Sequence, residues 1–148
     1  YPIEIGAGSI YSVTGYDGVQ VMELDSTGNA MVASVFGTIP GGVYPLSFLY
    51  AKRGNGPSDP PSSDFEVFWN NVSLGYFSPT LTTMSLYSTS VTAIGNGLDT
   101  LMFVGRGTEN THGAIIDDVK LGVPDGGISG MLLGMGLLVL SIGRKLAK

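Results

Sequence analysis

The sequence predicts a mainly β protein: an antiparallel β-sandwich or jelly roll over residues 1–122, followed by one C-terminal hydrophobic α-helix. Three observations carry this. Short runs of β-branched and aromatic residues recur between turns rich in Gly, Asn and Pro, the spacing of an antiparallel strand-rich domain. No stretch ahead of residue 123 shows the i, i+3, i+4 apolar stripe of an amphipathic helix. Ile128–Gly143 then runs for sixteen residues without a charge.

Taken in order, Ser9–Val13 reads as a weak first strand and Asp17-Gly18 as a turn. Val19–Asp25 follows, with Val19 and Val21 on one side and Met22 and Leu24 on the other, then the turn Ser26-Thr27-Gly28-Asn29. Met31–Ile39 is strand-like and Pro40-Gly41-Gly42 ends it. Val43–Lys52 alternates most clearly, with Tyr44, Leu46, Phe48 and Tyr50 on one face, the mark of a half-buried strand. Pro45 lacks an N–H, so it belongs near a sheet edge or a bulge. Arg53–Ser63 carries three prolines and two glycines and reads as an irregular loop. Phe65–Trp69, Asn70-Asn71 and Val72–Phe77 form a hairpin, with Phe65, Val67 and Trp69 on one face. Thr82–Ala93 is rich in Ser and Thr, Asn96-Gly97 is a tight-turn signal, and Leu98–Val104 is a strand. Gly105–Gly113 is a polar loop. Ala114–Leu121 closes the domain, with Ile115, Asp117, Val119 and Leu121 on one face. The expected core is Leu46, Phe48, Phe65, Val67, Trp69, Met102, Val104, Ile115 and Val119.

Composition narrows the function. Charged residues are 13% of the chain and glycines number 23, which suits an extracellular β-protein. Ahead of residue 126, Lys52, Arg53, Arg106 and Lys120 face twelve acids, a net charge of −8 that repels phosphate backbones and argues against nucleic acid as a partner. There is no cysteine, so burial and not a disulfide framework must hold the fold, and thiolate chemistry is excluded. Tyr1 reads as a mature N-terminus exposed by signal-peptide removal. His112 is the only histidine and lies in a polar loop, and no serine has a Gly-x-Ser-x-Gly setting, so the chain reads as non-catalytic.

The tail has three parts: a motif and linker over residues 123–127, the apolar run, and a basic end, together residues 123–148. At about 1.5 Å per residue the apolar run covers roughly 24 Å, short of a ~30 Å hydrocarbon core. The flanking glycines and the snorkelling stem of Arg144 extend it. Arg144, Lys145 and Lys148 then stop the membrane helix and place the C-terminus in the cytoplasm. A buried core helix is the alternative, although such helices usually carry a polar stripe. Gly130 and Gly134 form a small-x-x-x-small pair that lets helices approach, or they are glycines of the kind common in membrane helices.

Val123-Pro124-Asp125-Gly126-Gly127, the apolar helix and the basic cluster resemble the C-terminal sorting signals of the PEP-CTERM type, in their Val-Pro-Asp form. The resemblance covers Val123–Lys148 and implies a secreted bacterial surface protein processed by an exosortase. Asp17–Asp25, Ile39–Phe48 and Ile115–Leu121 resemble the strand pattern of galactose-binding-like jelly rolls over about residues 5–122. That resemblance implies a structural Ca²⁺ between an early turn and the last strand. Asp25, Thr27 and Asn29 offer oxygens at alternate positions, and Asp117 lies on an apolar strand face where an unpaired carboxylate would be costly. Backbone N–H groups or Arg106 would relieve that cost equally well.

Two functions fit. The first is a structural cell-surface protein that self-associates, as a homo-oligomer or filament, into a fibre, coat or layer. The second is a carbohydrate-binding module for a cell-surface or matrix polysaccharide. The second needs exposed aromatic rings beside polar groups, for which Trp69, Tyr76 and Tyr87 are the candidates, and polar loops, for which Arg53–Ser63 and Gly105–Gly113 are the candidates.

Overall fold

A computed structural model describes residues 2–55, 60–94 and 98–123. The expected C-terminal helix, the basic cluster, Pro124 to Gly127 and the Asn96-Gly97 turn lie outside the described residues.

Among the described residues nine strands form two antiparallel sheets: β1 (Glu4–Ala7), β2 (Gln20–Glu23), β3 (Met31–Gly37), β4 (Val43–Lys52), β5 (Phe65–Trp69), β6 (Val72–Phe77), β7 (Ser85–Thr92), β8 (Leu98–Gly105) and β9 (Ala114–Leu121). One sheet has the order β1-β2-β9-β4-β7 and the other β3-β8-β5-β6. Inward side chains of both sheets make the main core, centred on Phe48, which meets Phe65, Phe77, Tyr87 and Phe103 at ring-centroid distances of 6.3, 5.7, 5.0 and 5.1 Å. A second, smaller cluster of Tyr11, Val13, Val21, Ala51 and Ile115 lies on the outer side of the five-stranded sheet, beneath the chain that follows β1. Tyr11 and Tyr16 lie so close to Gly6 and Gly8 that a Cβ at either glycine would overlap their rings.

The structure corrects several expectations. The first strand is Glu4–Ala7, paired to β2, and not Ser9–Val13, where residues 9–12 form turns, with Ser12 at φ 54°. Arg53–Ser63 ends in one 3-10 turn, Pro60–Ser63, because proline's fixed φ suits the start of a helical turn. In β8 the buried residues are Leu101 and Phe103, and Met102 and Val104 face outward. Both faces of that strand carry apolar residues, and the inward one also carries a charge at Asp99. Asp99 is nevertheless buried, with its carboxylate bonded to the Ile94 amide and to the side chains of Thr38 and Asn70. Burial alone would raise its pKa; those three donors together outweigh it and hold the carboxyl below its ordinary value. Val119 is 41% exposed and not core. The β4–β9 register shifts between Ser47 and Leu49, opposite Asp118 at φ 47°, so alternation along β9 breaks there and Val119 does not share the face of Ile115 and Asp117.

Pro45 sits on an interior strand, three residues from the bulge opposite Phe48. Its carbonyl accepts from Gly122 N at 2.8 Å, just past the end of β9, so the missing N–H faces the place where the ladder stops. Other expectations hold as read: β4 and the β5–β6 hairpin have the expected bounds, and Asn70 and Asn71 both take positive φ, 51° and 65°, as a type I′ turn requires. Among the described residues no helix is long and apolar enough to cross a membrane.

Candidate functional site

The polar loops meet at one end of the sandwich. Glu23, the last residue of β2, is 0% exposed. Arg53 Nη1 donates to both its oxygens at 2.9 Å, and Gly113 N donates to Oε1 at 2.8 Å. The same Nη1 donates to Thr111 O at 2.7 Å, Nε donates to Asn55 Oδ1 at 2.8 Å, and the guanidinium lies 5.2 Å over the Tyr11 ring. Burial pushes the Glu23 carboxyl up to about 7; the Gly113 amide and Arg53 pull it down only in part. This carboxylate is sealed from solvent, so the group acts as a clamp between β2 and the loops after β4 and β8. His112 is folded into the second of those loops, with Nδ1 2.7 Å from Asn110 O and its amide donating to Asn110 Oδ1.

The four residues singled out for calcium do not come together. Asp25 and Asn29 bridge across a turn whose exposed tip carries Thr27. Asp117 is on the β9 ladder, where its Oδ2 accepts from Asp17 N at 2.6 Å. Gly113 packs against Asp25, and Asp117 is four residues further along the chain, about 13 Å away at strand spacing. Among the described residues no three His, Cys, Asp or Glu side chains gather to hold a metal. What fits a hard cation is narrower. Asp25 is 0% exposed; its Oδ2 accepts from Asn110 N at 3.2 Å, but its Oδ1 has no hydrogen-bond partner among the described residues. Asn29 Oδ1 and Leu24 O both lie close to Gly105.

The aromatic candidates separate by burial. Trp69 is in the core, its indole N–H donating to Thr92 O at 2.8 Å. Tyr87 packs against Phe48 and Phe77. Tyr76, at 57%, is the one exposed aromatic side chain among the described residues. It stands on the open face of the four-stranded sheet, where the register aligns Tyr76, Glu66, Val104 and Met31 across β6, β5, β8 and β3. Its hydroxyl donates to Asp64 Oδ2 at 2.8 Å, and that bond raises the phenol pKa. Beside it, Glu66 accepts from Ser73 Oγ at 2.8 Å and pairs with Arg106 at 3.1 Å, while the Arg106 guanidinium lies 6.0 Å over the Phe68 ring.

Strict alternation would put Ser73 and Tyr76 on opposite faces. The register shift between Val67 and Phe68 inserts one extra residue into β6, and Gly75, at φ 156°, absorbs the distortion. Both side chains therefore flank Glu66. Residue spacing gave no sign of Asp64, Glu66, Ser73 and Arg106 as neighbours; the only available signal was a glycine inside a strand pattern.

The arrangement is an aromatic ring of fixed orientation on an open apolar sheet face, with a carboxylate–guanidinium pair next to it. Such a surface can cover the C–H face of a flat polar molecule and hydrogen-bond its hydroxyls.

No protein-family model and no curated protein matches the chain. Solved structures do share its fold. A family 35 carbohydrate-binding module from an environmental isolate is similar at TM-score 0.54 and 14% identity, over 74% of this chain and 77% of that one. A family 35 module from Paenibacillus barcinonensis gives TM-score 0.51 and 17% identity, over 82% and 88%. The Podospora anserina GH26-CBM35 β-(1,4)-mannanase gives TM-score 0.55 and 17% identity; the match takes in 85% of this chain but only 26% of that protein. At these identities the likeness shows the fold, an antiparallel jelly-roll sandwich.

Proposed function

We propose that the chain is a non-catalytic carbohydrate-binding module that holds polysaccharide on the open face of the β3-β8-β5-β6 sheet, with Tyr76 as its platform. One observation carries the reading: an exposed aromatic ring, pinned through its hydroxyl to Asp64, stands beside the Glu66–Arg106 pair. Ligand sites combine apolar contact with a few placed polar groups, and this face supplies both. The likeness to family 35 modules supports this function over the self-associating fibre, coat or layer expected from the tail. Export to a bacterial surface, with the tail held in the membrane until an exosortase-like enzyme acts on it, belongs to the same proposal and rests on the motif at Val123 to Gly127.

Retardation of the full chain in native gels cast with soluble polysaccharides tests it. Tyr76→Ala should weaken retention roughly tenfold or more while leaving the melting temperature unchanged, because a contact aromatic carries affinity and an exposed one carries little stability. Full retention by the variant would move the site elsewhere, first to the loop end around Asn110 and Thr111.

A structural Ca²⁺ at Asp25 is a further part of this proposal, supported by the orphan Oδ1 and with Asp117 left out. Chelation should lower the melting temperature, and Asp25→Asn should remove that sensitivity. No change on chelation would leave the Asn110 amide as what Asp25 satisfies.

A further inference from the structure

We infer that the Tyr76 platform is selective for neutral glycans and turns away polymers of uronic acids; this rests on the carbohydrate-binding reading above. The inference comes from where the charges lie. Two carboxylates, Asp64 and Glu66, border the platform, and Arg106 is the cation beside them. Arg106 is already committed: Nη2 lies 3.1 Å from Glu66 Oε2, Nε donates to the same oxygen at 3.2 Å, and the plane covers Phe68. Asp64 has a phenol hydroxyl as partner, and no ion pair within the described residues neutralises it.

The other described cations lie elsewhere. Arg53 is held by buried Glu23, Lys120 pairs with Asp118 at 2.6 Å on β9, and Lys52 is on β4, in the other sheet. A uronate carboxylate laid on this face would thus meet net negative charge, with no uncommitted cation of the described residues on the face to receive it. Like charges brought close at a partly desolvated surface repel, and the net −8 of residues 1–125 adds to that field.

A neutral sugar meets the same groups favourably. An ionised carboxylate has about four lone-pair sites, and the guanidinium has five N–H donors in a fixed fork. The Glu66–Arg106 pair therefore keeps an acceptor and a donor side by side. Adjacent sugar hydroxyls match that pair, one donating to Glu66 and its neighbour accepting from Arg106, without adding a charge.

The test uses the full chain in native gels containing neutral galactan, mannan or xylan, or acidic polygalacturonate or alginate, at low and moderate salt. The expected result is retardation by at least one neutral polymer, insensitive to salt, and at least tenfold weaker or no retardation by the acidic ones. Glu66→Gln should release the Arg106 charge and bring in retention on acidic gels, lost again as salt screens it. Salt-sensitive retention of the unaltered chain on an acidic polymer, abolished by Arg106→Ala, would overturn the neutral selectivity and leave the module reading standing. Retention by no polymer of either class would overturn both.

Discussion

Glu23 loses its water on folding and takes Arg53 and the Gly113 amide in exchange. The exchange is incomplete, because its pKa rises from 4.5 to about 7 in the folded protein. A raised carboxyl pKa means that the folded state binds the proton more tightly than the unfolded one. Its contribution to stability is therefore fully present below about pH 4.5 and lost as pH rises through about 7. The melting temperature should fall across that window, and Glu23→Gln, which has no proton to lose, should flatten this part of the profile. A melting temperature that rises between these values in the unaltered protein would mean the ion pair with Arg53 outweighs desolvation. Spacing alone placed Glu23 nowhere in particular, since its partner is 30 residues away in a loop.

Strands carry the next level of decision. In β6 the extra residue at Leu74–Gly75 aims Ser73 and Tyr76 at the same face. Gly75→Ala would strain the backbone at φ 156° and place a Cβ 3.4 Å from the Phe77 ring. A stability loss of roughly 1–3 kcal/mol is expected in denaturant titration, together with weaker polysaccharide retention as Tyr76 shifts. Loss of stability with retention untouched would separate the bulge from the site. In β8 the assignment of faces has its own check. Leu101→Ala should cost roughly 2–5 kcal/mol, as for a buried leucine, and Met102→Ala, on the outer face, under about 1 kcal/mol. The order of those two values decides which face is core.

At the scale of the whole molecule, the two sheets are held by one aromatic cluster around Phe48, with no disulfide to assist. Phe48 is on β4 and touches β5, β6, β7 and β8, so its removal opens a cavity bordered by both sheets. Phe48→Ala should cost roughly 3–5 kcal/mol by denaturant titration, with loss of the single cooperative transition the most direct sign. A cost under about 1 kcal/mol would mean that the cluster is not where the sheets are joined.

The sequence by itself determined the class, the bounds of β4 and of the β5–β6 hairpin, and the acidity of the domain, because alternation, turn chemistry and charge are local or additive. Only the tertiary structure decided the rest. Asp99 can be core because Thr38, Asn70 and Ile94, from separate segments, donate to it, and that fixes Leu101 and Phe103 inward. One inserted residue in β6 and one in β9 reverse the alternation beyond them, which turns Tyr76 outward and takes Val119 off the face of Ile115 and Asp117. Burial belongs to the partner a strand finds, and a bulge is set by the register of two strands together. Neither is a property of the residues of one strand read alone.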